Sequence, residues 1–217
     1  MIKIGRAELH NCDCMELLSK YPDKHFELAI VDPPYGMGLH HQNNKQIAGT
    51  KGYSYGSSLK MKEWDIAPAQ TYFDELFRVS KKQIICGGNY FQLPTMRNFI
   101  IYHKRNIPEG FNMAQCEYLW TNIEGNSKIY SYMAKPDSDR FHPCQKPIEL
   151  YKWLIANYAN NGDKILDTHM GSGTIAVACN ELNFDLVASE IDTDYFNLAC
   201  NRIREAYSQG DLFREAG

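Results

Sequence analysis

The sequence predicts an α/β domain built on a mostly parallel sheet. Three observations point there: short apolar runs alternate with amphipathic stretches, the runs stop at proline or glycine turns, and 217 residues suffice for one sizeable core but not comfortably for two. In chain order, 26–31 (FELAIV) is a buried strand that Pro33 and Pro34 bring to a rigid halt. Residues 71–79 carry Phe73, Leu76 and Phe77 at helical spacing, and 83–86 (QIIC) is a strand broken by Gly87 and Gly88. Residues 99–102 and 118–120 are further strands. Pro147 opens a helix at its first position, with Leu150, Leu154, Ile155 and Tyr158 on one face and Gly162 beyond its end. A strand at 164–166, a glycine turn, a helix at 174–182, a strand at 185–189 and a helix at 193–207 complete a βαβα unit. No internal repeat or low-complexity tract interrupts this order.

Composition narrows the class further. The apolar share of 44% and charged share of 23% are those of a globular chain. No apolar run approaches the roughly 20 residues of a membrane span, and residues 1–9 lack a signal-peptide core, so a cytoplasmic protein is expected. The seven cysteines are odd in number and form no CxxC, which predicts reduced, mostly buried thiols. His10, Cys12 and Cys14 lack a second ligand pair, so no metal site is expected.

The net charge of −3 conceals an uneven distribution. Residues 36–146 hold 14 Lys and Arg against 9 Asp and Glu, while the two ends together hold 9 against 17. Within the basic middle, 36–62 carries Lys45, Lys51, Lys60 and Lys62 and no acidic residue. A solvated loop is the plainer account of that stretch taken alone.

Two segments carry chemistry. Asp167-Thr-His-Met-Gly171-Ser172-Gly173-Thr-Ile-Ala places GxGxxA between a strand and a helix, where glycines admit a ligand to the backbone and the helix N-terminus offers free N–H groups. Glu190, 23 residues past Asp167 at the end of the next strand, can accept both hydroxyls of a ribose. A nucleoside-containing cofactor follows, with NAD and S-adenosylmethionine both compatible. Asp32-Pro33-Pro34-Tyr35 is sharper. An exocyclic amine on adenine or cytosine is a poor nucleophile because its lone pair is delocalised into the ring. A carboxylate and a main-chain carbonyl that accept its two N–H groups would localise that lone pair. Asp32 and the Pro33 carbonyl offer those acceptors, the prolines preorganise them, and the flat face of Tyr35 can stack on an extruded base.

On DPPY at 32–35, DTHMGSGT at 167–174 and HPCQKP at 142–147, the chain resembles the amino-methylating DNA methyltransferases that modify adenine N6 or cytosine N4. The order, with the catalytic tetrapeptide before the glycines, is that of the β group, and the resemblance covers nearly the whole chain as a single catalytic domain, 1–217. It implies a Rossmann-like, seven-stranded, mostly parallel sheet with helices on both faces, circularly permuted, so that the strand after the last helix is 6–10 at the N-terminus. It implies S-adenosylmethionine as cofactor, held by Asp13, Gln145, Lys146, Asp167, His169, Gly171, Ser172, Gly173 and Glu190. It also implies Asp32, Pro33, Pro34 and Tyr35 as the catalytic set. His169 replaces the usual Phe and Cys144 a usual Thr.

With the resemblance in view, 36–62 becomes a mobile DNA-contacting loop, its four lysines supplying phosphate contacts. Residues 103–140, with Lys104 and Arg105, form a minimal target-recognition region, small enough that a short recognition sequence, loose specificity or help from a second subunit, as in a homodimer, is expected. Double-stranded DNA is the implied partner, as in restriction-modification enzymes. Asp at the head of the tetrapeptide favours adenine, since the similar cytosine-N4 enzymes more often begin with Ser. Cytosine-N4 transfer and a catalytically silent DNA-binding relative are the alternatives. A dehydrogenase would use GSGTIA and Glu190 but give no role to DPPY.

Overall fold

Alternation decides how the strands pack. Along each central strand, successive apolar side chains enter opposite cores: Leu28 and Ile30 one, Ala29 and Val31 the other, and likewise Ile84 against Ile85, Ile165 against Leu166, and Leu186 against Val187. A strand buried on both faces must be covered on both, which is the doubly wound arrangement. The computed structural model describes residues 1–36, 65–110, 114–133, 141, 142 and 144–215, with side chains described as far as Ser208.

The strands are β1 (Ile2–Ile4), β2 (Ala7–His10), β3 (Phe26–Val31), β4 (Ser80–Cys86), β5 (Phe99–Lys104), β6 (Cys116–Thr121), β7 (Lys128–Tyr132), β8 (Lys164–Asp167) and β9 (Asp185–Ser189). Among the described residues they form one sheet in the order β1-β2-β9-β8-β3-β4-β6-β5-β7. The five strands from β2 to β4 run parallel, β6 turns antiparallel against both β4 and β5, and β7 lies parallel to β5. The expected permutation is present, because β2 pairs in parallel with β9, register Ala7↔Leu186 to His10↔Ser189. Among the described residues nine strands stand where seven are expected: β1 hairpins onto β2, and β7 adds an edge beyond β5.

Among the described residues, five helices flank the sheet: α1 (Cys14–Leu18), α2 (Gln70–Val79), α3 (Ile148–Tyr158), α4 (Thr174–Glu181) and α5 (Thr193–Glu215). Helix α2 buries Tyr72, Phe73, Leu76 and Val79 at helical spacing and, with α1, covers one face. Helices α3, α4 and α5 cover the other face; α4, buried all along 175–179, is the middle one of the three. Pro147 caps α3 rather than opening it, and the first helical residue is Ile148. No described helix is long and apolar enough to cross a membrane.

Candidate active site

Parallel strands deliver their C-terminal ends to one edge of a sheet, and in a doubly wound fold that edge carries the ligand. Here the order β2-β9-β8-β3-β4 sets out, side by side, the loops after His10, Ser189, Asp167, Val31 and Cys86. Asp13, Glu190, the 167–173 turn, Asp32 and the 87–90 turn therefore share one edge, although the sequence scatters them over 178 positions.

The glycine turn is held from below. Gly173 caps α4 in the left-handed region at φ +72°, and a Cβ there would lie 2.9 Å from Ile203 Cδ1 on α5. Ser172 is buried, its carbonyl accepting from Arg202 Nη1 at 3.1 Å. Glu190 Oε2 accepts the Gly171 N–H at 2.9 Å and Oε1 that of Asp192 at 2.9 Å. Burial raises the Glu190 carboxyl, these N–H donors pulling against it. Asp167 is buried more deeply; burial pushes it up to about 8 despite the His169 N–H bonding its Oδ1 at 3.0 Å, and the charges of Asp32 and Glu190 push the same way. Asn11 ties the neighbouring loop down, donating to the Glu190 carbonyl at 2.9 Å and accepting from Thr193 Oγ1. Asp13 caps α1 through the Met15 N–H at 2.8 Å and is exposed at the same edge.

His169 answers for the missing Phe. Burial drives its imidazole down to about 4, so the ring is neutral and sits edge-on to Tyr72 at 5.3 Å, its Nδ1 on Thr168 Oγ1 at 3.0 Å. A neutral ring packed on an aromatic preserves most of the apolar contact that Phe would give.

Asp32 follows β3, two strands from Glu190. Its Oδ1 accepts the Tyr35 hydroxyl at 2.7 Å and its Oδ2 the Lys146 ammonium at 2.6 Å. Lys146 was expected near the cofactor; its side chain is only 9% exposed and is spent on Asp32, with Glu117 Oε2 3.2 Å away. Burial disfavours the Lys146 charge, but Asp32 and Glu117 more than compensate and hold the ammonium protonated. Glu117 is lowered for the reciprocal reason: burial is outweighed by Lys146 and Lys104.

Tyr35 is not open on both faces. Tyr90 stacks on it at 4.8 Å and 16°, and Phe91 meets it edge-on at 6.1 Å. Gly87, at φ +66°, allows the fit, since a Cβ there would fall 2.3 Å from Tyr35 Cε1. The Gly36 N–H donates to Asp65 Oδ1 at 3.0 Å, so the chain leaves and re-enters the described structure beside Tyr35.

The expectation for Lys104 is corrected. Its ammonium turns inward onto Glu117 Oε1 at 2.5 Å, so its charge is already matched by a buried carboxylate rather than offered to phosphate. Arg105 is exposed. Lys45, Lys51, Lys60 and Lys62 lie outside the described residues. Gln145 donates its N–H to the His142 carbonyl at 3.2 Å, below the glycine turn, and His142 packs on Tyr195 at 4.6 Å. Glu117 and Tyr90 were not anticipated. A lone carboxylate inside CEYLWT, and an aromatic directly after a strand-ending Gly-Gly, were the available signals.

A doubly wound sheet that presents a glycine turn, a buried carboxylate and Asp-Pro-Pro-Tyr along one edge is the framework of a nucleoside-cofactor enzyme. The comparisons name the class more closely. Residues 75–201 match the N6_N4_Mtase family model, described as DNA methylase, and the chain belongs to that family of amino-methylating DNA methyltransferases. It is similar to the type II methyltransferase M2.MboI of Moraxella bovis, 23% identical over 91% of this chain and 87% of that one. M.HpaI of Haemophilus parainfluenzae is 35% identical over 34% of this chain, a stretch amounting to 24% of that protein. Among solved structures, the M1.HpyAVI-SAM complex shares the fold at TM-score 0.57 and 21% identity, over 90% of this chain and 99% of that one. The cytosine-N4-specific PvuII DNA methyltransferase shares it at 0.60 and 12%, over 95% and 93%.

Proposed function

We propose that this chain transfers a methyl group from S-adenosylmethionine to the exocyclic amine of a base swung out of double-stranded DNA, adenine N6 in preference to cytosine N4. The observation that carries the reading is the placement of Asp32 along the same sheet edge as Glu190 and the 171–173 turn, one strand position from the glycines. The residues fit the cofactor. Glu190 is buried with both oxygens oriented by backbone N–H groups, and a carboxylate so held retains lone pairs for two ribose hydroxyls. Gly171 leaves open a cradle that a side chain would fill, a Cβ there lying 3.2 Å from the His142 ring. Asp13, Asp167, His169, Ser172 and Gly173 follow strands that end on the same edge, and Gln145 bonds to His142 beside Gly171; these are the residues that would hold the cofactor. When bound, S-adenosylmethionine supplies an electrophilic methyl group.

Asp32 and the Pro33 carbonyl accept the two N–H groups of the target amine and aim its lone pair; Pro34 fixes the turn between them and Tyr35. No covalent enzyme intermediate is required, so no cysteine takes part. The preference for adenine rests on Asp at the head of the tetrapeptide. The lysines of 36–62, which lie outside the described residues, and the exposed Arg105 within 103–140 supply the phosphate contacts, and the small recognition region reads a short or loosely specified sequence or is extended by a second subunit.

Asp32→Ala is expected to abolish transfer of radiolabelled methyl to DNA while calorimetry still detects S-adenosylmethionine binding; retained turnover would overturn the assignment. Modified-base sequencing of DNA from expressing cells is expected to show N6-methyladenine. N4-methylcytosine in its place would transfer the same geometry to the other base.

A further inference from the structure

Five largely covered groups form one polar chain through the site: Lys104, Glu117, Lys146, Asp32 and Tyr35. Lys104 holds Glu117 Oε1 at 2.5 Å, Lys146 lies 3.2 Å from Glu117 Oε2 and 2.6 Å from Asp32 Oδ2, and Tyr35 closes on Asp32 Oδ1 at 2.7 Å. Both oxygens of Asp32 are thus engaged by strong donors on the very carboxylate that a target amine must approach.

An ammonium nine-tenths buried cannot be released to water without a large desolvation cost, so it needs a second acceptor within reach. Glu117 Oε2 has the properties of one. It is buried, it has an ion-pair partner in Lys146, and among the described residues it receives no hydrogen bond of good geometry. Its orientation is fixed, because Lys104 grips the other oxygen and the backbone sits in the β6 ladder opposite Tyr102.

We propose that Glu117 is a positioning residue, the second seat of the Lys146 ammonium, to which Lys146 turns when the target amine takes its place on Asp32 Oδ2. The inference rests on the methyl-transfer reading for its purpose, but not for its geometry. No covalent bond changes and the proton stays on Lys146; the ammonium rotates away from Asp32 Oδ2 and one hydrogen bond moves from Asp32 to Glu117. Net charge in the chain is conserved, so the amine meets a free lone pair without an uncompensated ion being left behind.

Two measurements test this. In a crystal of the Asp32→Ala variant, Lys146 Nζ is expected to close on Glu117 Oε2 to about 2.9 Å in hydrogen-bonding geometry. A Lys146 that keeps its place or turns to another acceptor overturns the second seat. In the full-length protein, Glu117→Gln is expected to lower kcat for methyl transfer on the order of a hundredfold, the scale of a misplaced reacting group, with S-adenosylmethionine affinity of the folded protein little changed. Wild-type kcat in that variant, or loss of cofactor affinity in step with kcat, overturns the positioning role. A wild-type protein that methylates no DNA would sink the functional reading, while the Asp32→Ala crystal would still decide whether Glu117 takes the ammonium.

Discussion

Asp167 and His169 stand two residues apart and titrate in opposite senses, which gives the site a pH signature. Folded Asp167 keeps its proton to about pH 8, whereas the unfolded chain releases it near the ordinary 3.8, so between those values folding takes up a proton and stability falls as pH rises. Folded His169 refuses a proton above about pH 4, whereas the unfolded chain holds one up to about 6.5, so across that window stability rises with pH. The two offset each other up to about 6.5, and from there to 8 Asp167 acts without His169. Urea unfolding is therefore expected to show stability declining from pH 6.5 to 8 by up to about 1.4 kcal/mol per pH unit for one buried proton. Asp167→Asn should flatten that decline, and His169→Phe should extend it to lower pH; a decline unchanged in Asp167→Asn would refute the account. Tyr90 is the other residue whose worth is open to measurement. Its stacked pair with Tyr35 predicts that Tyr90→Ala costs about 1 kcal/mol and Tyr90→Phe almost nothing, both read from urea midpoints.

At the scale of the element, the turn into α4 combines strain with close packing, and the two can be separated. Gly173→Ala forces a side chain into the left-handed region and against Ile203 Cδ1 at 2.9 Å and Ala199 Cβ at 3.2 Å. Gly162→Ala carries a similar backbone penalty at φ +88° with nothing within 4 Å. Gly162→Ala should thus cost about 1 kcal/mol, the left-handed penalty alone, and Gly173→Ala roughly 1–3 kcal/mol more for overpacking. Equal costs in denaturant melts would show that α5 gives way. The same contrast between local and tertiary causes explains what could be read from the sequence. Strands β3, β8 and β9 were legible because a strand buried on both faces is a continuous apolar run; β7 was not, because KIYSY is a mostly exposed edge with Ile129 facing solvent. Three-residue β1 and five-residue α1 are too short to show a period. Asp32, Glu190 and the glycines announced themselves because their chemistry demands a local pattern. Glu117 did not, because its partners Lys104 and Lys146 lie 13 and 29 positions away and meet it only through the sheet and the loop before α3.

For the whole molecule, the charge of −3 has to be reconciled with a polyanionic partner. The structure accounts for part of the acidity: Asp32, Asp167 and Glu190 lie at the strand ends, either buried or ion-paired, and present little field to an approaching duplex. It also removes Lys104 from the pool of cations, since Glu117 neutralises it inside. The positive field near the site must then come from elsewhere; Gly36 and Asp65, which flank the residues outside the described structure, meet beside Tyr35 through the Gly36 N–H, and the lysine-bearing stretch lies between them in sequence. If Lys45, Lys51, Lys60 and Lys62 each neutralise one phosphate, every contact contributes about 0.9 to the slope of log K against log salt concentration. Replacing all four with Gln should therefore lower the magnitude of that slope by about 3 to 4, measured by fluorescence anisotropy on duplex DNA between low and moderate salt. Lys104→Gln, by contrast, should leave the slope within error of wild type, because its charge never faces the duplex. A slope unchanged by the fourfold replacement, or one lowered by Lys104→Gln alone, would place the phosphate contacts on a different surface.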